Sequence, residues 1–216
     1  MRTVIAVLIV IALGVGIGRL SAPHSSLPSP QADPHPGPAR TRSGVGVGFP
    51  RSRAGAVLAA GSYAQALADK AVLSPAVLKR RIEAIATPAF VPMMLEANRP
   101  GAERLRRGPF GAALRAGEPS VFFGTPIAYR LLSYSPGRAV LRVWGFTLIG
   151  SAAGIEPSAS FGLSRTVLVW RQRQWMIAST RASFGPTPRL ISPRTGGEGF
   201  DLIELSKELR PYGLAP

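Results

Sequence analysis

Arg171 and Arg173 stand between two tryptophans in VLVWRQRQWMI, residues 167–177. Guanidinium groups grip phosphates through forked N–H donors, and aromatic rings stack on planar bases, so these are the residue types of a nucleic-acid contact. Arg165, Arg181 and Arg189 extend this group along the chain. A second group, Arg99, Arg104, Arg106, Arg107 and Arg115, follows Lys79, Arg80 and Arg81. Arg104, Arg106, Arg107, Arg171 and Arg173 are the candidate polyanion contacts. The competing reading of both groups is a solvated basic face. With 26 Lys+Arg against 11 Asp+Glu, the net charge of +15 biases the chain toward nucleic acid, anionic lipid or acidic cell-wall polymers.

Residues for covalent or acid–base chemistry are sparse. A serine nucleophile needs a base, usually histidine. The only histidines, His24 and His35, fall in a proline-rich stretch and read as solvated residues rather than metal ligands. The chain has no cysteine, which removes disulfides, thiolate zinc sites and a cysteine nucleophile. Between residues 120 and 190 the one carboxylate is Glu156, in an apparent turn, and the remaining acids lack metal-site spacing. TGGEG at 195–199 has the glycines of a phosphate loop but no GK[ST] after it, and reads as a connector. The expectation is therefore no catalytic residue, no cofactor and no metal: a binding protein, not an enzyme.

The elements that would position the arginines follow from periodicity. Residues 4–18, VIAVLIVIALGVGIG, are uncharged and apolar between Arg2 and Arg19, which fits a membrane anchor over residues 1–20; a cleaved signal peptide is the alternative. The expected topology is single-pass, with the C-terminal part outside the cell membrane. Residues 21–50, rich in proline and ending in GVGVG and FP, read as a disordered tether. A domain over 51–190 opens with a helix in RAGAVLAAGSYAQALAD, then a second helix behind Ser74 and Pro75. Pro88, Pro92 and Pro100 are expected to break the next region into short helical pieces.

After Glu118 the pattern turns to strands. IAYRLLSY and AVLRVWGFTLIG flank the turn SPGR, and SFGLSRTVLVW and WMIASTRASF supply two more. Helices first and antiparallel strands afterwards make an α+β layout, with helices on one face of the sheet. Residues 191–216 read as a flexible segment and a short helix, FDLIELSKELR, ended by Pro211. Reversal across residues 171–174, by a two-residue turn or a four-residue loop, pairs Trp170 with Trp175, Leu168 with Ile177 and Thr166 with Ser179. Val169 with Met176 and Val167 with Ala178 then lie on the other side. The tryptophans read as sheet core or rim, not as a stacking platform.

The order of features also resembles a known group: an anchor, a proline-rich tether, GAVLAAGSYAQAL at 55–67, a late hairpin with W(x)4W, FGPTPRL at 184–190 and RPYG at 210–213. It is similar to uncharacterised membrane-anchored proteins of GC-rich Gram-positive bacteria with a cone-like domain of the nuclear-transport-factor-two type. Type IV secretion scaffold subunits and TcpC-like conjugation proteins share that fold. The resemblance implies a curved sheet and a noncatalytic scaffold in conjugative transfer or envelope assembly. It implies membrane or envelope proteins, or further copies of the chain, as partners. A membrane-tethered binder of DNA or cell-wall polymer is the alternative, with nucleic acid a secondary partner.

Overall fold

Two-residue turns close both predicted hairpins. Pro136 and Gly137 join β3 (Ser120–Ser135) to β4 (Arg138–Ser151), and Gln172 and Arg173 join β5 (Ile155–Arg171) to β6 (Gln174–Phe184). These elements come from a computed structural model that describes residues 37–187 and 209–212. The predicted anchor, the first part of the predicted tether, TGGEG and residues 200–208 of the predicted closing helix lie outside the described residues. No helix among the described residues is long and apolar enough to cross a membrane.

Upstream of the sheet lie a ribbon of β1 (Arg40–Arg42) and β2 (Val45–Val47), α1 (Arg53–Ala66), a 3-10 turn at Lys70–Leu73, α2 (Pro75–Ile85), α3 (Val91–Arg107) and α4 (Pro109–Arg115). A short β7 (Arg210–Pro211) completes a curved, wholly antiparallel sheet of order β6-β5-β4-β3-β7. The α+β layout read from the sequence is the observed one.

Strand alternation gives the sheet two unlike faces. Ala139, Leu141 and Val143 of β4, Leu168 of β5 and Trp175 and Ile177 of β6 point toward the helices and share a core with Ala56, Ala60, Tyr63, Ile82 and Ile85. Trp175 is fully buried; its indole N–H donates to the Pro50 carbonyl at 2.9 Å, and its own carbonyl accepts from the Tyr63 hydroxyl at 2.7 Å. These bonds satisfy the indole N–H of Trp175 and the hydroxyl of Tyr63, two side-chain groups whose burial would otherwise leave polar atoms unpaired. Trp170 packs edge-on against it at 5.3 Å, so the tryptophan pair holds the sheet as expected.

The tether reading fails at residues 45–49. Val45, Val47 and Phe49 are buried in the main core. Each burial is worth about 1.5–3 kcal/mol, which the proline and glycine content of the segment hides. GVGVG looks like low-complexity sequence, yet valine at every second position is also a strand pattern that turns both side chains inward. The other end shows a similar shift. Leu209 is buried, Arg210 and Pro211 pair with Tyr129 and Ala128 of β3, and Tyr212 packs on α1. A side chain at Gly61 would meet the Tyr212 ring at 2.7 Å, so glycine is what lets that ring close on the helix. Arg210 and Pro211 are therefore part of the sheet, and the predicted helix does not reach Leu209 or Arg210.

Two further expectations are corrected. Pro100 does not break the third helix: α3 runs through it from Val91 to Arg107, and the break comes at Gly108 before Pro109. Pro100 lies on the exposed side, where water can satisfy the carbonyl it strands, while buried Met94 and partly buried Leu95 and Ala102 fix the helix on either side. In the late hairpin the expected pairs hold from Arg171 to Leu168 and then slip. Ala178 is an extra residue, so Val167 faces Ser179 and Thr166 faces Thr180. This bulge falls where the chain after α2 docks on the edge of β6, with the Thr87 N–H donating to the Ile177 carbonyl at 2.9 Å. Covering the edge there protects it from pairing with another chain.

Candidate functional site

The groove and the arginines occupy opposite faces of the sheet. On the helix side, beside the end of α1, the sheet leaves a groove of about 350 Å³. Ala64 and Ala68 of α1 and the chain after it form one wall, with Gly124, Gly145, Gly162, Ser160 and Ser164 among the floor residues and Phe184 on the rim. The floor is shallow because its residues are small: a side chain at Gly124 would meet the Ala68 methyl at 2.5 Å. Phe184 is 93% exposed, an unusual position for so large an apolar group. No lining residue is ionisable. The hydroxyls of Ser160, Ser164 and Thr147 can orient a ligand by hydrogen bonds, but the lining supplies no base or acid.

The opposite face carries a row of arginines. Arg130 pairs with Arg142, Arg142 with Arg165 and Arg165 with Arg181, one from each of β3, β4, β5 and β6, and all four are exposed. Like charges directly across strands destabilise a sheet by about 0.2–1 kcal/mol per pair. Among the described residues, no carboxylate lies within ion-pair distance of Arg142, Arg165 or Arg181. Beside the row, Trp144 stacks on Phe161 at 5.6 Å, and ring contacts continue through Phe146 to Phe123 at 5.9 and 5.8 Å. Trp144 itself is buried and donates its indole N–H to the Pro186 carbonyl at 3.0 Å, whereas Phe123 is 40% exposed.

Bulges create this alignment. Continuing the register of the Pro136–Gly137 turn without interruption would set Arg130 opposite Val143, on the helix side; the extra residue Leu132 returns it to the far face opposite Arg142. Ala178 does the same for Arg181, which would otherwise face Ser164 instead of Arg165. A bulge reverses which way every later side chain points, so two of the three contacts in the row exist because of one.

The candidate residues from the sequence are not brought together. Arg104, Arg106 and Arg107 occupy the last turn of α3, where Glu103 binds Arg106 through two hydrogen bonds of 2.7 and 2.8 Å and also pairs with Arg107. The two guanidiniums hold the Glu103 carboxyl below its ordinary range, through hydrogen bonding from Arg106 first, so this cluster is partly neutralised. Arg81 is buried and structural: it donates to Asp69 and to the Ala66 carbonyl, both at 2.6 Å, closing the end of α1. Arg171 and Arg173 sit at the hairpin tip, where Arg51 lies over Trp170 and Arg53 over Tyr134 at 5.8 and 5.6 Å. Both aromatics at that end are thus capped by cations and do not offer free faces for bases. Sequence reasoning named Arg165 and Arg181 but not their alignment, and it passed over Arg130 and Arg142, because register beyond a bulge is not written in local composition.

Comparison with other proteins returns no curated protein and no solved structure that matches the chain. A family model described as a domain of unknown function matches residues 25–193, well over half of the chain and including every strand of both hairpins. The ribbon, the helices, the groove and the arginine row all lie within that match, and the chain belongs to this family, DUF8175.

Proposed function

We propose that the protein is a noncatalytic scaffold, anchored in the cell membrane by residues 1–20, whose domain has the cone-like architecture of nuclear transport factor two and holds a segment of another protein in a transfer or envelope assembly. The observation that carries this reading is the groove. Its size, its lining of apolar and hydroxyl residues and its exposed Phe184 rim suit an uncharged stretch of polypeptide. An open site without ionisable groups favours holding over turnover. Fold likeness to scaffold proteins adds only a prior, since one fold serves many functions.

The test places a photo-crosslinking residue at Phe184 of the full chain in its native membrane. The reading expects a discrete protein adduct, lost when Ser160→Trp fills the groove. An adduct that persists in Ser160→Trp, or adducts with lipid or small molecules alone, contradicts it.

A further inference from the structure

We propose that the arginine row on the far face is a binding site for single-stranded nucleic acid, distinct from the groove and from the arginines of α3 and of the hairpin tip. The row crosses four strands, so its charges follow one another at the interstrand spacing of about 4.8 Å over a span of roughly 14 Å. A linear array of guanidiniums matches a flexible chain of phosphates better than an isolated anion, since each step along the ligand meets another forked donor. The bulge at Ala178 turns Arg181 onto the face of Arg142 and Arg165, where among the described residues no carboxylate neutralises any of the three.

The aromatic residues select the ligand class. Phe146 and Phe161 lie four residues along their strands from Arg142 and Arg165, about 13 Å away, and the exposed ring of Phe123 ends the series. Trp144, Phe161 and Phe146 pack on one another, so Phe123 presents the exposed ring: a backbone running on from the arginines can stack a base there, the combination of charged track and stacking surface that single strands use. Duplex hides its base faces and so gains only the charged part. An anionic bilayer or an acidic peptide has no planar base to place on the rings.

The test is fluorescence anisotropy of labelled oligothymidine with the full chain in nonionic detergent, over a salt series. The expected slope of log affinity against log salt falls by about 0.7 for each phosphate contact removed, so Arg142→Thr with Arg165→Thr lowers it by about 1.4. Arg165→Lys keeps the slope. Phe123→Ala weakens binding by about fivefold or more and leaves the slope unchanged. Replacing Arg104, Arg106 and Arg107 has no effect on either. Thermal melts of each variant separate lost binding from lost folding. Equal affinity for duplex and single strand overturns the proposal, as does an unchanged slope in the double variant. Tight binding of poly-glutamate with no loss in Phe123→Ala assigns the row to an acidic polypeptide and overturns it too.

Discussion

Val143, Ser164 and Ala182 line the groove, and their immediate neighbours in the chain, Arg142, Arg165 and Arg181, form the row on the opposite face. One sheet therefore carries an uncharged surface and a strongly cationic one, separated only by the alternation of side chains along each strand. The helix-side face gains stability where it meets the core, and its open half is built from residues too small to fill it. The far face concentrates like charges at a cost. Stability and charge are thus divided between the faces, so substitutions on each should move different observables.

The largest effect belongs to the helix-side core. Trp175→Ala removes a fully buried ring and orphans the Pro50 carbonyl, and should cost about 3–5 kcal/mol by denaturant titration. Phe49→Ala should cost a comparable amount, which a disordered tether would not. A neutral Phe49→Ala would move the start of the domain back to residue 51.

Next in size is alkaline unfolding. Burial raises the hydroxyl pKa of Tyr63 and of Tyr212 above the ordinary 10.0, slightly opposed by Arg40 for Tyr63 and reinforced by Tyr129 for Tyr212. In the unfolded chain both release protons near pH 10 while the folded chain keeps them, so folding stability is full below pH 10 and falls as pH rises beyond it. Tyr212→Phe should flatten this fall in a pH series of melts. An equally steep fall in the variant would mean that the ring does not stay buried against α1.

The turn between the last two strands offers a smaller gain. Gln172 and Arg173 both hold left-handed backbone, φ 51° and 60°, where asparagine and glycine are at ease. Gln172→Asn with Arg173→Gly should stabilise the domain by about 1 kcal/mol in a denaturant titration. The smallest shift sharpens the comparison of faces most: Arg165→Thr relieves two like-charge contacts and should raise stability by about 0.5–1 kcal/mol, measured at low salt, with less gain at high salt.

The strands, the hairpin at Pro136–Gly137 and the tryptophan pair were legible because turn residues and period-two patterns are local signals. Val45, Val47 and Phe49 were not, since the prolines and glycines around them masked a three-residue strand that forms only against α1 and α2. Pro100 misled for a similar reason: packing on both sides of it overrides a local breaker. The candidate site was legible as arginine types and illegible as an arrangement. Leu132 and Ala178 carry no mark of a bulge, yet they decide which face Arg130 and Arg181 share.

Separate action of the two faces is read from the salt dependence of oligothymidine binding in three full-length chains: the native protein, Arg142→Thr with Arg165→Thr, and Ser160→Trp. The slope should fall by about 1.4 in the arginine variant and stay unchanged in Ser160→Trp. Loss of binding in Ser160→Trp with the arginine variant unaffected would contradict it.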